Sequence, residues 1–243
     1  MAARFEAVFF DFGGTLFSYR PMRRGTVGLI GRAVERLGVE TDLGTAARAY
    51  GLASQRAFAE YVPRPYYLHR DVFHAAFRHF AESLGRCASP DDLDWFHEAQ
   101  RVHVLEEFRL REGARETIAA LREHGLHVGI VSNIDDDYLV PMLERCGLAS
   151  AIDAWTSSEQ AASCKPQPGI YEVALGKAGA SPQQVLFVGD SREQDIAGAR
   201  ALGMTTALIV EPDSPPPGAG ALPGADPDHE IGALAELLPL ARA

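Results

Sequence analysis

The chain has 243 residues, 47% of them hydrophobic, and a formal net charge of −10. That length and apolar content suffice for a full core, with room for one large and one small domain. The acidic balance excludes an ordinary nucleic-acid-binding surface, because phosphate backbones are met by clustered Lys and Arg in excess. The first residues show no basic leader and long apolar run, so the sequence predicts a soluble, cytoplasmic protein without a membrane span. Three cysteines, Cys87, Cys146 and Cys164, lie in no metal-like spacing and read as reduced structural thiols.

In chain order, short apolar runs of strand length fall at Ala7 to Phe10, Val128 to Val131, Ile152 to Trp155, Val185 to Val188 and Thr206 to Val210. Helical periodicity separates the later ones, at Arg115 to His124, Tyr138 to Arg145, Gly169 to Ala178 and Asp195 to Leu202. Alternating strand and helix predict an α/β fold with a parallel sheet and right-handed crossovers. Between Phe17 and Arg109 the alternation stops, and four helical stretches follow one another: Thr26 to Leu37, Thr45 to Tyr61, Tyr67 to Leu84 and Pro90 to Phe108. In the third, Phe73, Phe77, Phe80 and Leu84 make an apolar stripe at helical spacing, with His69 four residues ahead of it. The division expected is a core of residues 1–16 and 110–243 and a helical insertion of residues 17–109. The Pro- and Gly-rich stretch Glu211 to Asp228 reads as a loop that returns to a last short strand near Glu230 and a helix at Ala233 to Leu238.

Ligands of open parallel sheets collect beyond the carboxyl ends of the strands, so the residues just after each strand carry the functional signal. The first strand runs VFFDFGGTL and ends on Asp11; the second ends on Ser132-Asn133; the fourth ends on Gly189-Asp190-Ser191, with Asp195 five residues past Asp190; Lys165 lies in the loop after the third. Carboxylates, a lysine and a small hydroxyl converging on one crevice suit Mg²⁺ and a phosphate: the hard cation takes oxygen ligands, and Lys and hydroxyl donors stabilise the equatorial oxygens of a transferring phosphoryl group. Taken one at a time these residues have plainer readings: Asp11 as a turn residue, Ser132 and Asn133 as helix caps, Asp195 as a cap or a partner that orients Lys165. Lys165 and Lys177 are the only lysines in a chain that otherwise uses Arg, which sets Lys165 apart from ordinary surface charge.

This set resembles the haloacid dehalogenase superfamily over nearly the whole chain. Its first motif, Asp-x-Asp-x-Thr after an apolar strand, is matched by Asp11-Phe-Gly-Gly-Thr15. Its second, a Ser or Thr after a strand, is matched by Ser132; its third, a Lys often followed by Pro, by Lys165-Pro166; its fourth by GDSREQD. The resemblance implies a Rossmann-like parallel-sheet core with an inserted all-helical cap, and a Mg²⁺-dependent phosphatase acting on a small phosphorylated metabolite through an aspartyl phosphate. It implies Asp11 as nucleophile, with Ser132 and Lys165 holding the phosphoryl group. The metal ligands implied are Asp11, the backbone carbonyl of Gly13, Asp190 and Asp195. Thr15 would brace the loop beside the substrate, and Asn133 would assist Ser132 in binding it. Arg20, with Arg23 and Arg24, would meet a second anionic group or form a solvated basic face. Oligomeric state is open.

The sequence departs from the motif at Gly13, where phosphatases of the family carry the Asp that serves as general acid and base. A glycine can offer its carbonyl to a metal but cannot move a proton, and positioned acid–base catalysis is worth roughly 10²–10⁴ in rate. Three other readings follow: a fold that retains ligand binding without turnover, carbon–halogen cleavage as in the L-2-haloacid dehalogenases, or replacement of the missing group from the insertion. A Schiff-base route through an insertion lysine is closed, since no lysine lies between Phe17 and Arg109.

Overall fold

A computed structural model describes residues 5–211, 219–220 and 222–242, with residues 21–24 and 242 described by backbone alone. Six strands form one parallel sheet in the order β3-β2-β1-β4-β5-β6: β1 (Ala7–Phe10), β2 (His127–Ser132), β3 (Ala154–Ser157), β4 (Val185–Gly189), β5 (Thr205–Ile209) and β6 (His229–Ile231). The chain builds outward from β1 to β2 and β3, then returns to the other side of β1 to lay down β4. This is the Rossmann-like α/β architecture expected, and it places the topological switch between β1 and β4.

All four residues of β1 are buried because the strand is covered on both faces. Side chains alternate between two cores. Val8 and Phe10 pack with Val128, Ile130, Leu186 and Val188 on one face. Ala7 and Phe9 pack with Val131, Val185 and Phe187 on the other. The first face is covered by α5 (Ala114–Glu123) and α6 (Asp136–Arg145), the second by α8 (Pro168–Ala178), a five-residue wide turn (Arg192–Ile196) and α9 (Ala197–Ala201); a short α7 (Ser158–Ala161) links β3 to α8. A last helix, α10 (Leu237–Arg242), packs through Leu237 and Ala241 on the first face.

Between β1 and α5 the chain forms α1 (Arg20–Leu37), α2 (Leu43–Tyr61), α3 (His69–Ser83) and α4 (Pro90–Glu107). Ends are set locally: Asp42 accepts the Thr45 N–H ahead of α2, Ser89 and Asp92 form a reciprocal capping box ahead of α4, and Gly38 closes α1 in the left-handed region (φ 62°). These helices enclose an apolar core of their own, with Phe77 stacked on Phe96 at 4.3 Å and Phe80 edge-on to Tyr50. Phe17 and Phe108, at the two crossings into this segment, pack instead in the sheet-side core.

Several elements differ from the sequence reading: α1 begins at Arg20 rather than Thr26, and the helix expected at Ala233 to Leu238 is a short 3-10 turn at Leu234–Glu236 followed by α10. The third strand begins at Ala154 rather than Ile152, because Ile152 closes a turn onto the Leu148 carbonyl (3.1 Å) and packs beneath α6. The helix expected from Asp195 begins as the wide turn Arg192–Ile196, in which the amides of Asp195 and Ile196 both donate to the Ser191 carbonyl at 3.0 and 3.1 Å. Cys146 and Cys164 are buried free thiols, whereas Cys87 is exposed. Part of the Pro- and Gly-rich loop, residues 212–218 and 221, lies outside the described residues. No described helix is long and apolar enough to cross a membrane.

Candidate active site

The carboxyl ends of β1 and β4 bring Asp11 and Asp190 side by side. The Asp11 amide continues the sheet ladder to the Val188 carbonyl (2.8 Å), which fixes where the carboxylate emerges. Gly14 takes a left-handed φ of 84°, and a Cβ there would overlap the Asp190 carboxylate. Glycine is needed at that position for both reasons. Gly189 makes the same close approach to Asp195, whose side chain folds back from the wide turn.

Lys165 is 2% exposed and donates from Nζ to Asp11 Oδ1 and Asp195 Oδ1, each at 2.6 Å. Burial opposes a charge on this lysine, but the two carboxylates outweigh it and raise the pKa, so Lys165 stays an ammonium. Ser132 Oγ donates a second hydrogen bond to Asp11 Oδ1 at 3.0 Å. Oδ2 of Asp11 has no hydrogen-bond partner among the described residues. Asp195 is engaged at both oxygens, since Oδ2 accepts the backbone amides of Asp190 (3.0 Å) and Ser191 (2.9 Å). Asn133 grips the Lys165 backbone from both sides, accepting its N–H at 2.7 Å and donating to its carbonyl at 3.0 Å.

One ligand oxygen from each of Asp11, Asp190 and Asp195 lies within 4.8 Å of the others. Burial first, and then the charges of Asp11 and Asp195, hold the Asp190 carboxyl well above the usual carboxylate range. Burial likewise pushes Asp195 up to about 6, against the pull of Lys165. Three crowded carboxylates with one ammonium between them carry excess negative charge, and an oxygen-rich donor set of that kind fits a hard divalent cation.

Of the residues predicted from sequence, Asp11, Gly13, Ser132, Asn133, Lys165, Asp190 and Asp195 all line one polar pocket of about 50 Å³. Thr15 and Arg20 do not. Thr15 is fully buried and its hydroxyl has no partner. The Arg20 side chain is half exposed and pairs with Glu211 at 3.6 Å. Arg23 and Arg24 fall outside the described side chains.

Three contributions were not visible in the sequence. Arg111 braces the Asp11 loop from behind, donating to the carbonyls of Gly14 and of Thr15, the latter at 3.0 Å. Tyr19 leans back over the loop against Phe17 at 5.2 Å, and its hydroxyl stands where a Cβ on Gly13 would have to go. Burial and the charges of Asp190, Asp11 and Asp195 hold that phenol well above its ordinary pKa, so it remains protonated. Asp135, just beyond Ser132-Asn133, accepts the amides of His69 and Arg70 at 2.8 Å each and so caps α3, while Asp137 takes His97 at 3.0 Å. The loop that carries Ser132 is thereby tied to the helical segment.

A second, larger cavity of about 330 Å³ lies between the helical segment and the sheet, reached from the polar pocket past Gly13, Tyr19, Ser132 and Asn133. Its walls come from every helix of the segment and from α6.

This chain belongs to the haloacid dehalogenase-like hydrolases, the family that matches it over residues 5–203. A ribulose-1,5-bisphosphate 5-phosphatase of Halopiger xanaduensis is 30% identical over 238 residues, spanning 96% of this chain and 98% of that one. An (S)-2-haloacid dehalogenase 4A of Burkholderia cepacia is 33% identical over 127 residues, 52% of this chain and 53% of its own. Among solved structures, YfnB from Bacillus subtilis bound to magnesium matches 99% of this chain and 100% of that chain with a TM-score of 0.77 at 20% identity, a likeness of fold.

Proposed function

We propose that the protein is a Mg²⁺-dependent phosphohydrolase that acts on a small phosphorylated metabolite through an aspartyl phosphate on Asp11. The observation that carries this reading is the posture of Asp11: Oδ1 is pinned by Lys165 and Ser132, and Oδ2 is left unpaired in a pocket of about 50 Å³ walled by Asp190 and Lys165. The full-length likeness to a ribulose-1,5-bisphosphate phosphatase and the magnesium bound in YfnB point the same way.

Asp11, the Gly13 carbonyl and Asp190 would hold the metal, while Asp195, with both oxygens engaged, orients Lys165 and the β4 loop. Bound there, Mg²⁺ would neutralise the carboxylates and the phosphoryl oxygens. The chain's own residues do the rest. Asp11 supplies the attacking oxygen, Lys165 and Ser132 fix its rotamer, and the Lys165 ammonium, with a proton to spare, donates to the transferring group. Tyr19, in the place a carboxylate at position 13 would occupy, donates a hydrogen bond to the bridging oxygen. The helices α1 to α4, residues 17–109 with their connections, act as a cap that keeps bulk water from the pocket.

Purified protein incubated with acetyl phosphate or p-nitrophenyl phosphate and Mg²⁺ should release phosphate, and acid quenching should trap one phosphoryl group on the Asp11 peptide. Asp11→Asn should abolish both. Undiminished hydrolysis by Asp11→Asn would overturn the mechanism.

A further inference from the structure

The polar pocket and the larger cavity share four residues, Gly13, Tyr19, Ser132 and Asn133. An ester with its phosphoryl group beside Asp11 must therefore pass its bridging oxygen through this junction and lay its leaving group in the cavity.

Two properties of that passage limit the leaving group. The first is charge. The walls are mostly apolar, Phe17, Leu29, Phe58, Phe73, Val104 and Met142 with the rings of Tyr50 and Tyr138; Ser54, Gln100 and His103 are polar groups among them, and no Lys, Arg, Asp or Glu lines the cavity among the described residues. His69, on the same wall, is kept neutral by burial, which pushes it down to about 4. A second phosphate would lose much of its water there with no Lys or Arg among the described residues to meet it.

The second is the supply of protons. Gly13 has no side chain, the Ser132 hydroxyl is spent on Asp11, and the Asn133 amide is spent on Lys165 and Gln194. The Tyr19 hydroxyl, which has no partner among the described residues, is the one side-chain donor left among the four junction residues, and it is a phenol rather than a carboxylic acid. It can hydrogen-bond to a departing oxygen but is a poor acid toward an alkoxide. The leaving group must be stable as its own anion.

On the basis of the phosphohydrolase reading, we propose that this site takes phosphate monoesters of uncharged aromatic leaving groups of phenolic acidity, and that sugar bisphosphates are excluded by the cavity. In the first step Asp11 forms a bond to phosphorus as the bond to the aryl oxygen breaks, and the electron pair stays on that oxygen under the Tyr19 hydrogen bond. Water then adds its oxygen to phosphorus as the bond to Asp11 breaks; one proton stays on the phosphate and the other goes to the phenolate. The sum is aryl phosphate and water giving phenol and phosphate.

The test compares kcat/KM of the full-length protein with Mg²⁺ for 1-naphthyl phosphate and ribulose-1,5-bisphosphate, with acetyl phosphate as the reference that needs no cavity. We expect the naphthyl ester to lead the bisphosphate by at least about 100-fold. In Ser54→Trp, which fills the cavity from α2, the naphthyl-to-acetyl ratio should fall by about tenfold or more. A bisphosphate that matches the aryl ester, or a ratio unmoved by Ser54→Trp, overturns the proposal. Calorimetry with 1-naphthol separates this from the parent reading: the wild type should bind it and Ser54→Trp should not. If no ester is turned over, acetyl phosphate included, the phosphohydrolase reading falls, and naphthol binding still decides the class of group the cavity accepts.

Discussion

The Tyr19 hydroxyl occupies the space that a side chain on Gly13 would need. The relationship is steric before it is chemical. Tyr19 is held there by its edge contact with Phe17, which itself pairs with Gly13 and Leu110 across the mouth of the loop. Restoring a carboxylate with Gly13→Asp should therefore fail, because the new side chain must evict a packed ring at a cost of about 1–3 kcal/mol. We expect a lowered Tm and no gain on alkyl phosphates. The pair Gly13→Asp with Tyr19→Ala clears the space, and should exceed Tyr19→Ala alone by about tenfold or more on poor leaving groups. Steady-state kinetics on glycerol phosphate for the three variants decides it; a gain from Gly13→Asp alone would show that Tyr19 does not hold that ground.

Tyr19→Phe isolates the hydrogen bond, since the ring and its contact with Phe17 remain. One donated hydrogen bond is worth about 1 kcal/mol, so kcat/KM for phenyl phosphate should fall by about five- to tenfold. Acetyl phosphate, whose leaving oxygen needs less help, should be affected less. Equal losses on both substrates would mean that the hydroxyl organises the pocket instead of assisting departure.

Much of this site was legible in the sequence because it obeys a rule of topology. Asp11, Ser132 and Asp190 each follow an apolar run, and a parallel sheet delivers such positions to one edge. Lys165 stood out by rarity. Tyr19 and Arg111 did not, because their positions depend on the chain folding back between Phe17 and Leu110, a pairing of residues 93 apart that no periodicity announces. The Asp195 turn was misread as plain helix for a related reason. The pattern of Ile196, Ala199 and Leu202 is helical, but the demand that Asp195 face both Lys165 and the β4 amides widens the first turn. Arg20 read as either a substrate contact or part of a solvated basic face; its half-exposed side chain pairs with Glu211 and lines neither pocket.

Lys165 is the one cation among the described residues that sits between two buried carboxylates, Asp11 and Asp195, and the half-buried Asp190. Replacing it with Met leaves Asp11 and Asp195 without their partner, and breaking buried pairs of this kind costs about 3–5 kcal/mol. Urea unfolding in EDTA should show that loss. If the cluster binds Mg²⁺ as proposed, saturating Mg²⁺ should stabilise the wild type, and Asp190→Asn should lose most of that increment. An increment that survives Asp190→Asn would place the cation elsewhere.

At the junction of core and helices, two groups should make contributions of opposite sign to acid stability. Burial pushes His69 down to about 4 and Asp135 up to about 6. As pH falls below the ordinary histidine value, the unfolded chain takes up a proton at His69 that the folded chain refuses, so stability is lost until about pH 4. As pH falls through 6, folded Asp135 takes up a proton before the unfolded chain does, so stability is gained down to the ordinary carboxylate value. Each contribution amounts to about 3 kcal/mol, and they oppose one another between roughly pH 4 and 6. Removing one should uncover the other. Relative to the wild type, His69→Phe should gain stability as pH is lowered from 6.5 to 4.5, and Asp135→Asn should lose it. Urea unfolding at the two pH values reads both differences directly; parallel pH profiles for all three proteins would mean that neither group titrates as its burial requires.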